Sequence, residues 1–150
     1  MDKFEQYKEN LQRDECIAVL KKEVAEIVSR KNLSSVMNDT KWIELQIAID
    51  SLPFPPSFIM KCVTYDDDYP IGILSDAPRY LGDWSSYWEE GLAPFFNIEW
   101  IKVRPRYGKF RGRLIADEIL DETNEFIAIL EKLSIPYENE EGTILIYGYR

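Results

Sequence analysis

Histidine is absent from all 150 residues. That removes Ser–His and Cys–His nucleophilic catalysis, imidazole acid–base chemistry and most zinc sites. Cysteine is scarce. Cys16 and Cys62 are the only two, one in a helical pattern and one in a strand pattern. Two core thiols kept reduced in the cytoplasm is the expectation. No apolar run approaches the roughly 18 residues of a membrane span. The opening MDKFEQYKEN is charged and lacks the apolar stretch of a signal peptide. No membrane partner is expected. The seven glycines are scattered, and neither a GxxxxGKS/T loop nor GxGxxG occurs. Nothing in the chain calls for a cofactor.

What is present is a well-stocked acidic chain. It is 45% apolar and 13% aromatic, enough for a real core, with a net charge of -9. Residues 102–113 (KVRPRYGKFRGR) reverse that sign. They hold Lys102, Arg104, Arg106, Lys109, Arg111 and Arg113 and no acid. Six cations against a total of -9 leave -15 on the rest of the chain. A basic island in an acidic protein pairs internally, stays solvated, or meets a partner. The net charge argues against general binding of nucleic acid by the whole surface.

Hydrophobic spacing predicts the elements. Phe4, Tyr7, Leu11, Ile17, Leu20, Val24, Ile27 and Val28 mark an amphipathic helix over 3–31, with an irregularity near residues 13–15. Asp39 or Thr40 is expected to cap a second helix over 41–51 that buries Trp42, Leu45 and Ile49. Strands are predicted at 58–65, at 71–74, at 97–104, where Ile98 is expected to share a face with Trp100, Lys102 and Arg104, and at 111–116 as the returning strand. A third helix falls within 117–133. A final hairpin joins 135–138 to 143–149. This order implies an α+β fold, with one mainly antiparallel sheet covered by helices on one face and a long N-terminal helix. Residues 1–150 read as a single domain, with 1–35 as an N-terminal helical extension packed on it.

MNDTKW (residues 37–42), FFNIEWIKVRPRY (95–107), RGRL (111–114) and the IYGY ending (146–149) together resemble an uncharacterised family of small cytoplasmic bacterial proteins, a domain of unknown function. The resemblance spans roughly residues 36–150 and implies no activity. In general build, small acidic bacterial proteins of this kind are similar to immunity proteins, which neutralise a toxin domain. The resemblance therefore implies a protein partner.

Several groups are candidates for contact. Asp66, Asp67 and Asp68 form an acidic turn before Tyr69 and Pro70. They lack the alternate spacing and glycine bend of a calcium loop, so no metal is expected. The aromatic segment 80–100 offers Trp84 and Trp88 as anchors beside Glu89 and Glu90. Trp100, Lys102, Arg104, Arg106, Arg111 and Arg113 form a possible anion site, with aromatic rings near guanidinium forks. No spacing selects a catalytic carboxylate pair. The reading is a non-catalytic protein-binding module. Its expected form is an immunity- or antitoxin-type inhibitor of a basic toxin domain, with Asp66, Asp67, Asp68, Trp84, Trp88, Glu89 and Glu90 at the interface. Two alternatives stay open: a nucleic-acid-binding regulator using the basic island, and an enzyme with an unlocated carboxylate or Arg site.

Overall fold

Aspartates divide the N-terminal helical stretch. In the computed structural model, which describes residues 2–150, Asp2 accepts the Glu5 N–H at 2.8 Å and opens α1 (Lys3–Arg13). Asp14 then leaves helical geometry, with φ -90° and ψ 108°, and its carboxylate accepts the Cys16 N–H at 2.9 Å. This cap starts α2 (Glu15–Arg30). The helical stretch expected over 3–31 is therefore two helices, because an aspartate satisfies free N–H groups at a helix start better than it fills a helix interior. Cys16 lies exposed on α2 and only Cys62 is buried, so the pair of core thiols is corrected to one.

α3 (Asp39–Ile49) is capped one residue earlier than expected. Asn38 accepts the Lys41 N–H at 2.8 Å, and Asp39 is already helical. Trp42, Leu45 and Ile49 are buried, as their spacing predicted. The remaining elements are β1 (Ser57–Cys62), β2 (Ile98–Arg104), β3 (Arg106–Lys109), β4 (Glu118–Asp121), α4 (Thr123–Lys132), β5 (Glu138–Glu140) and β6 (Thr143–Tyr147). No helix is long and apolar enough to cross a membrane among the described residues.

β1, β2, β6 and β5 form one antiparallel sheet in that order, and β3 pairs with β4 as a separate ribbon. Residues 71–74 are not a strand, and 111–116 is the loop of the ribbon rather than its returning strand. Arg111 explains the second difference: it donates to the Ala116 carbonyl at 3.1 and 2.9 Å and folds the loop on itself. β2 carries a bulge. Lys61 aligns with Trp100 and Cys62 with Ile98, which leaves Glu99 unmatched. The extra residue resets the alternation, so Ile98 joins Ile101 and Val103 in the core instead of sharing a face with Trp100 and Lys102.

The core joins these residues and Ile144 and Ile146 of β6 to Trp42, Leu45 and Ile49 of α3 and Phe126 and Leu130 of α4. α1 is tied to it by Tyr7. That ring stacks on Phe95 at 4.4 Å, and its hydroxyl accepts the Phe95 N–H at 2.9 Å.

Candidate functional site

The basic island does not act as one surface. Asp76, from the loop after β1, bonds both Arg104 and Arg106. Arg104 also donates to the Asp76, Glu141 and Thr143 oxygens at 2.9, 3.0 and 3.1 Å, and Arg106 pairs with Asp121 at 3.3 Å. The Arg106 bond, with Arg104 behind it, holds the Asp76 carboxyl below the usual range. Lys102 lies 5.0 Å over the Trp100 ring. Arg111 braces the ribbon loop, and Lys109 and Arg113 are exposed on it. The six cations thus divide among an internal carboxylate clamp, the sheet and the ribbon tip.

The residues expected at a partner interface are also dispersed. Asp67 accepts Lys31 at 2.7 Å, which lowers its carboxyl, while Asp66 and Asp68 are exposed. Trp84 is not an exposed anchor. It is 7% exposed, donates its Nε1–H to the Pro56 carbonyl at 2.8 Å, and packs against Phe58 and Phe126. Trp88 is half-buried against Tyr7 and Tyr87. Glu89 and Glu90 are exposed beside it. The aromatic loop turned inward because a Trp ring with a satisfied N–H is worth more in the core than in water. Among the described residues, no group of three or more Asp, Glu or Cys is placed to hold a metal ion.

A different cleft gathers residues from distant parts of the chain. It measures about 250 Å³ and is lined by Ser35, Met37, Asn38, Asp39, Trp42, Phe95, Phe96, Gly148 and Tyr149. Trp42 and Phe95 stack at 6.0 Å in its floor, both almost fully buried, while Phe96 and Tyr149 are half-buried. Tyr149 is held by its hydroxyl, which donates to the Phe96 carbonyl at 2.6 Å. The segment after α2 is laced to the chain end: Ser34 and Arg150 exchange N–H···O bonds at 2.9 and 2.8 Å, and Val36 N–H reaches the Gly148 carbonyl at 2.9 Å. The Glu99 bulge completes the lacing, since its carbonyl accepts the N–H groups of both Gly148 and Tyr149, at 2.8 and 3.1 Å. Only glycine fits at 148, because a Cβ there would run into the Ile98 carbonyl.

Asp39 supplies the acid at this cleft and is exposed at its mouth. The protein packed around it still removes enough water to lift its carboxyl above the usual range, and Lys21 partly offsets the rise. Burial, then the Asp39 charge, raises the Tyr149 phenol. Lys21 itself lies 6.0 Å over the Phe96 ring. A second hollow, of about 320 Å³ along α2, shares Phe96 and Tyr149 with the first and adds Lys21. A carboxylate beside aromatic faces, with a cation already placed on one of them, is the chemistry of a site for cationic side chains.

Sequence reasoning placed Asp39 as a helix cap and gave Phe96 and Tyr149 no role. Yet MNDTKW, FFN and the GY of the IYGY ending, three of the segments that carry the resemblance, supply every lining residue of the cleft except Ser35. Their joint presence was the signal. A family model described as "Family of unknown function (DUF6678)" matches residues 24–150, a stretch that contains the whole cleft. No curated protein and no solved structure matches the chain.

Proposed function

This chain belongs to the DUF6678 family, whose function is unknown, and from that premise we propose that it is a non-catalytic binding module for a basic protein partner. In its specific form it is an immunity- or antitoxin-type inhibitor of a basic toxin domain, acting in the bacterial cytoplasm. The observation that carries the reading is the cleft around Asp39, where separate family segments meet and set one carboxylate among Trp42, Phe95, Phe96 and Tyr149. A partner lysine or arginine entering the cleft meets the carboxylate with its head and the half-buried rings of Phe96 and Tyr149 with its stem. The net charge of -9 steers such a partner from a distance. The exposed acids Asp66, Asp68, Glu89 and Glu90 contribute to that field rather than to one contact.

The nucleic-acid reading draws less support, because Asp76 occupies Arg104 and Arg106. The enzyme reading needs a second group opposed to the acid, and Asp39 is the one carboxylate lining the cleft.

The test uses a short arginine-rich peptide as probe, titrated at low and physiological salt and followed by tryptophan fluorescence. The full chain should bind it with a salt-sensitive affinity. Asp39→Asn keeps the shape of the site and should weaken binding by about tenfold or more, the loss of one charge-assisted bond. Equal affinity for the variant and the parent would refute the assignment of the cleft.

A further inference from the structure

The ribbon formed by β3 and β4 ends in an apolar and basic tip that the cleft does not use. From Lys109 to Ala116 the sequence is KFRGRLIA, three cations with no acid. Leu114 is 99% exposed, and Phe110 and Ile115 are 57% and 56% exposed. The tip is a built shape. The two Arg111 bonds to the Ala116 carbonyl pin the loop. At its base Arg79 lies 5.2 Å over Phe110 and pairs with Asp117 at 2.7 Å, which neutralises the nearest acid on that side.

Exposed aliphatic side chains of this size, ringed by cations, match a boundary between an apolar phase and an anionic one. The rest of the chain is acidic, so an anionic surface is admitted only at the tip. Over about 8 Å, the screening length at physiological salt, the tip charges dominate what such a surface meets. We infer that the ribbon tip is a docking point for an anionic lipid surface. Leu114 and Ile115 enter the boundary between headgroups and acyl chains, and Lys109, Arg111 and Arg113 sit at the lipid phosphates. A surface contact of this kind needs no membrane-spanning segment.

Nucleic acid fits the tip less well. The exposed aliphatic groups of Leu114 and Ile115 at the apex gain nothing from the phosphates that dominate nucleic-acid binding. A polyanion lying along the ribbon would also meet Glu118, which is paired with Lys109 in the ladder. A flat surface touching the apex avoids it.

Vesicle flotation decides the matter. The probes are phosphatidylcholine vesicles with and without about 30% phosphatidylglycerol, in about 0.15 M salt. The full chain is expected to float with the anionic vesicles and not with the neutral ones. Arg113→Ala should weaken this by about fivefold, the contribution of one cation near an anionic surface. Leu114→Asp with Ile115→Asp should abolish it, while the far-ultraviolet circular dichroism stays unchanged because both side chains face water. Failure to float with anionic vesicles overturns the inference, and so does flotation that the Leu114→Asp, Ile115→Asp variant retains. Tighter binding to a single-stranded oligonucleotide than to the vesicles also overturns it and assigns the tip to nucleic acid. The Asp39→Asn variant should float normally, so failure of the cleft assignment and failure of this one read out separately.

Discussion

Replacing Glu122 with glutamine should make the protein more stable at neutral pH and leave it nearly unchanged in acid. Glu122 lies between β4 and α4 and is 1% exposed. Its Oε1 has no hydrogen-bond partner, and its Oε2 accepts only the Phe54 N–H, at a long 3.4 Å. Burial pushes its carboxyl from 4.5 up to about 7; the charges of Glu125 and Asp121 add to the rise, and the Phe54 bond opposes it. The folded chain therefore holds this proton more tightly than the unfolded chain does. The stabilising contribution is full below about pH 4.5, declines as pH rises, and is lost above about pH 7. A displacement of that size corresponds to about 3 kcal/mol between the two limits. Glu122→Gln removes the charge and keeps the shape. The variant should exceed the parent by up to about 3 kcal/mol above pH 7, and the gain should vanish near pH 4.5. Urea melts of both proteins across this range measure the difference directly. A difference that does not change with pH, or one that favours the parent at high pH, would refute the claim that Glu122 is buried and uncompensated.

Two further outcomes test the core. Trp84→Ala should cost about 3–5 kcal/mol in a denaturant melt, with lost stability rather than faster partner dissociation as the main effect; a variant that melts like the parent would return Trp84 to the surface. Leu45→Ala, in a side chain with no exposed area, should cost about 2–5 kcal/mol, and a change under about 0.5 kcal/mol would mean that this side of α3 faces solvent.

The α+β class, the antiparallel sheet and the buried side of α3 were legible because apolar spacing reports them directly. Trp42, Leu45 and Ile49 lie one helical turn apart, and the final hairpin was expected; its turn is made by Glu141 and Gly142, which both adopt positive φ, 54° and 88°. The Asp14 break was visible only as an irregularity, since capping depends on one side chain meeting one N–H. The Glu99 bulge left no pattern at all: one extra residue in a ladder alters which side chains share a face without altering composition. Charge was legible only in part. Internal pairing of the run 102–113 was among its readings, but the carboxylate that pairs, Asp76, lies remote in sequence and neutralises two of its arginines. The cleft escaped for the same reason, since its walls meet only after the chain has folded.

That assembly has a kinetic side. The cleft draws on α3, on the turn before β2 and on residues after β6, with long stretches of chain between them. Contacts of such separation form late and slow the search for the native state. A chain that has formed only its helices, or only the β5–β6 hairpin, has no receptor for a cation. Under the proposed function, recognition through Asp39 is conditional on completed folding: partial folds would compete poorly for a basic partner, and mutations in the distant core would silence the cleft through its occupancy in time rather than through its shape.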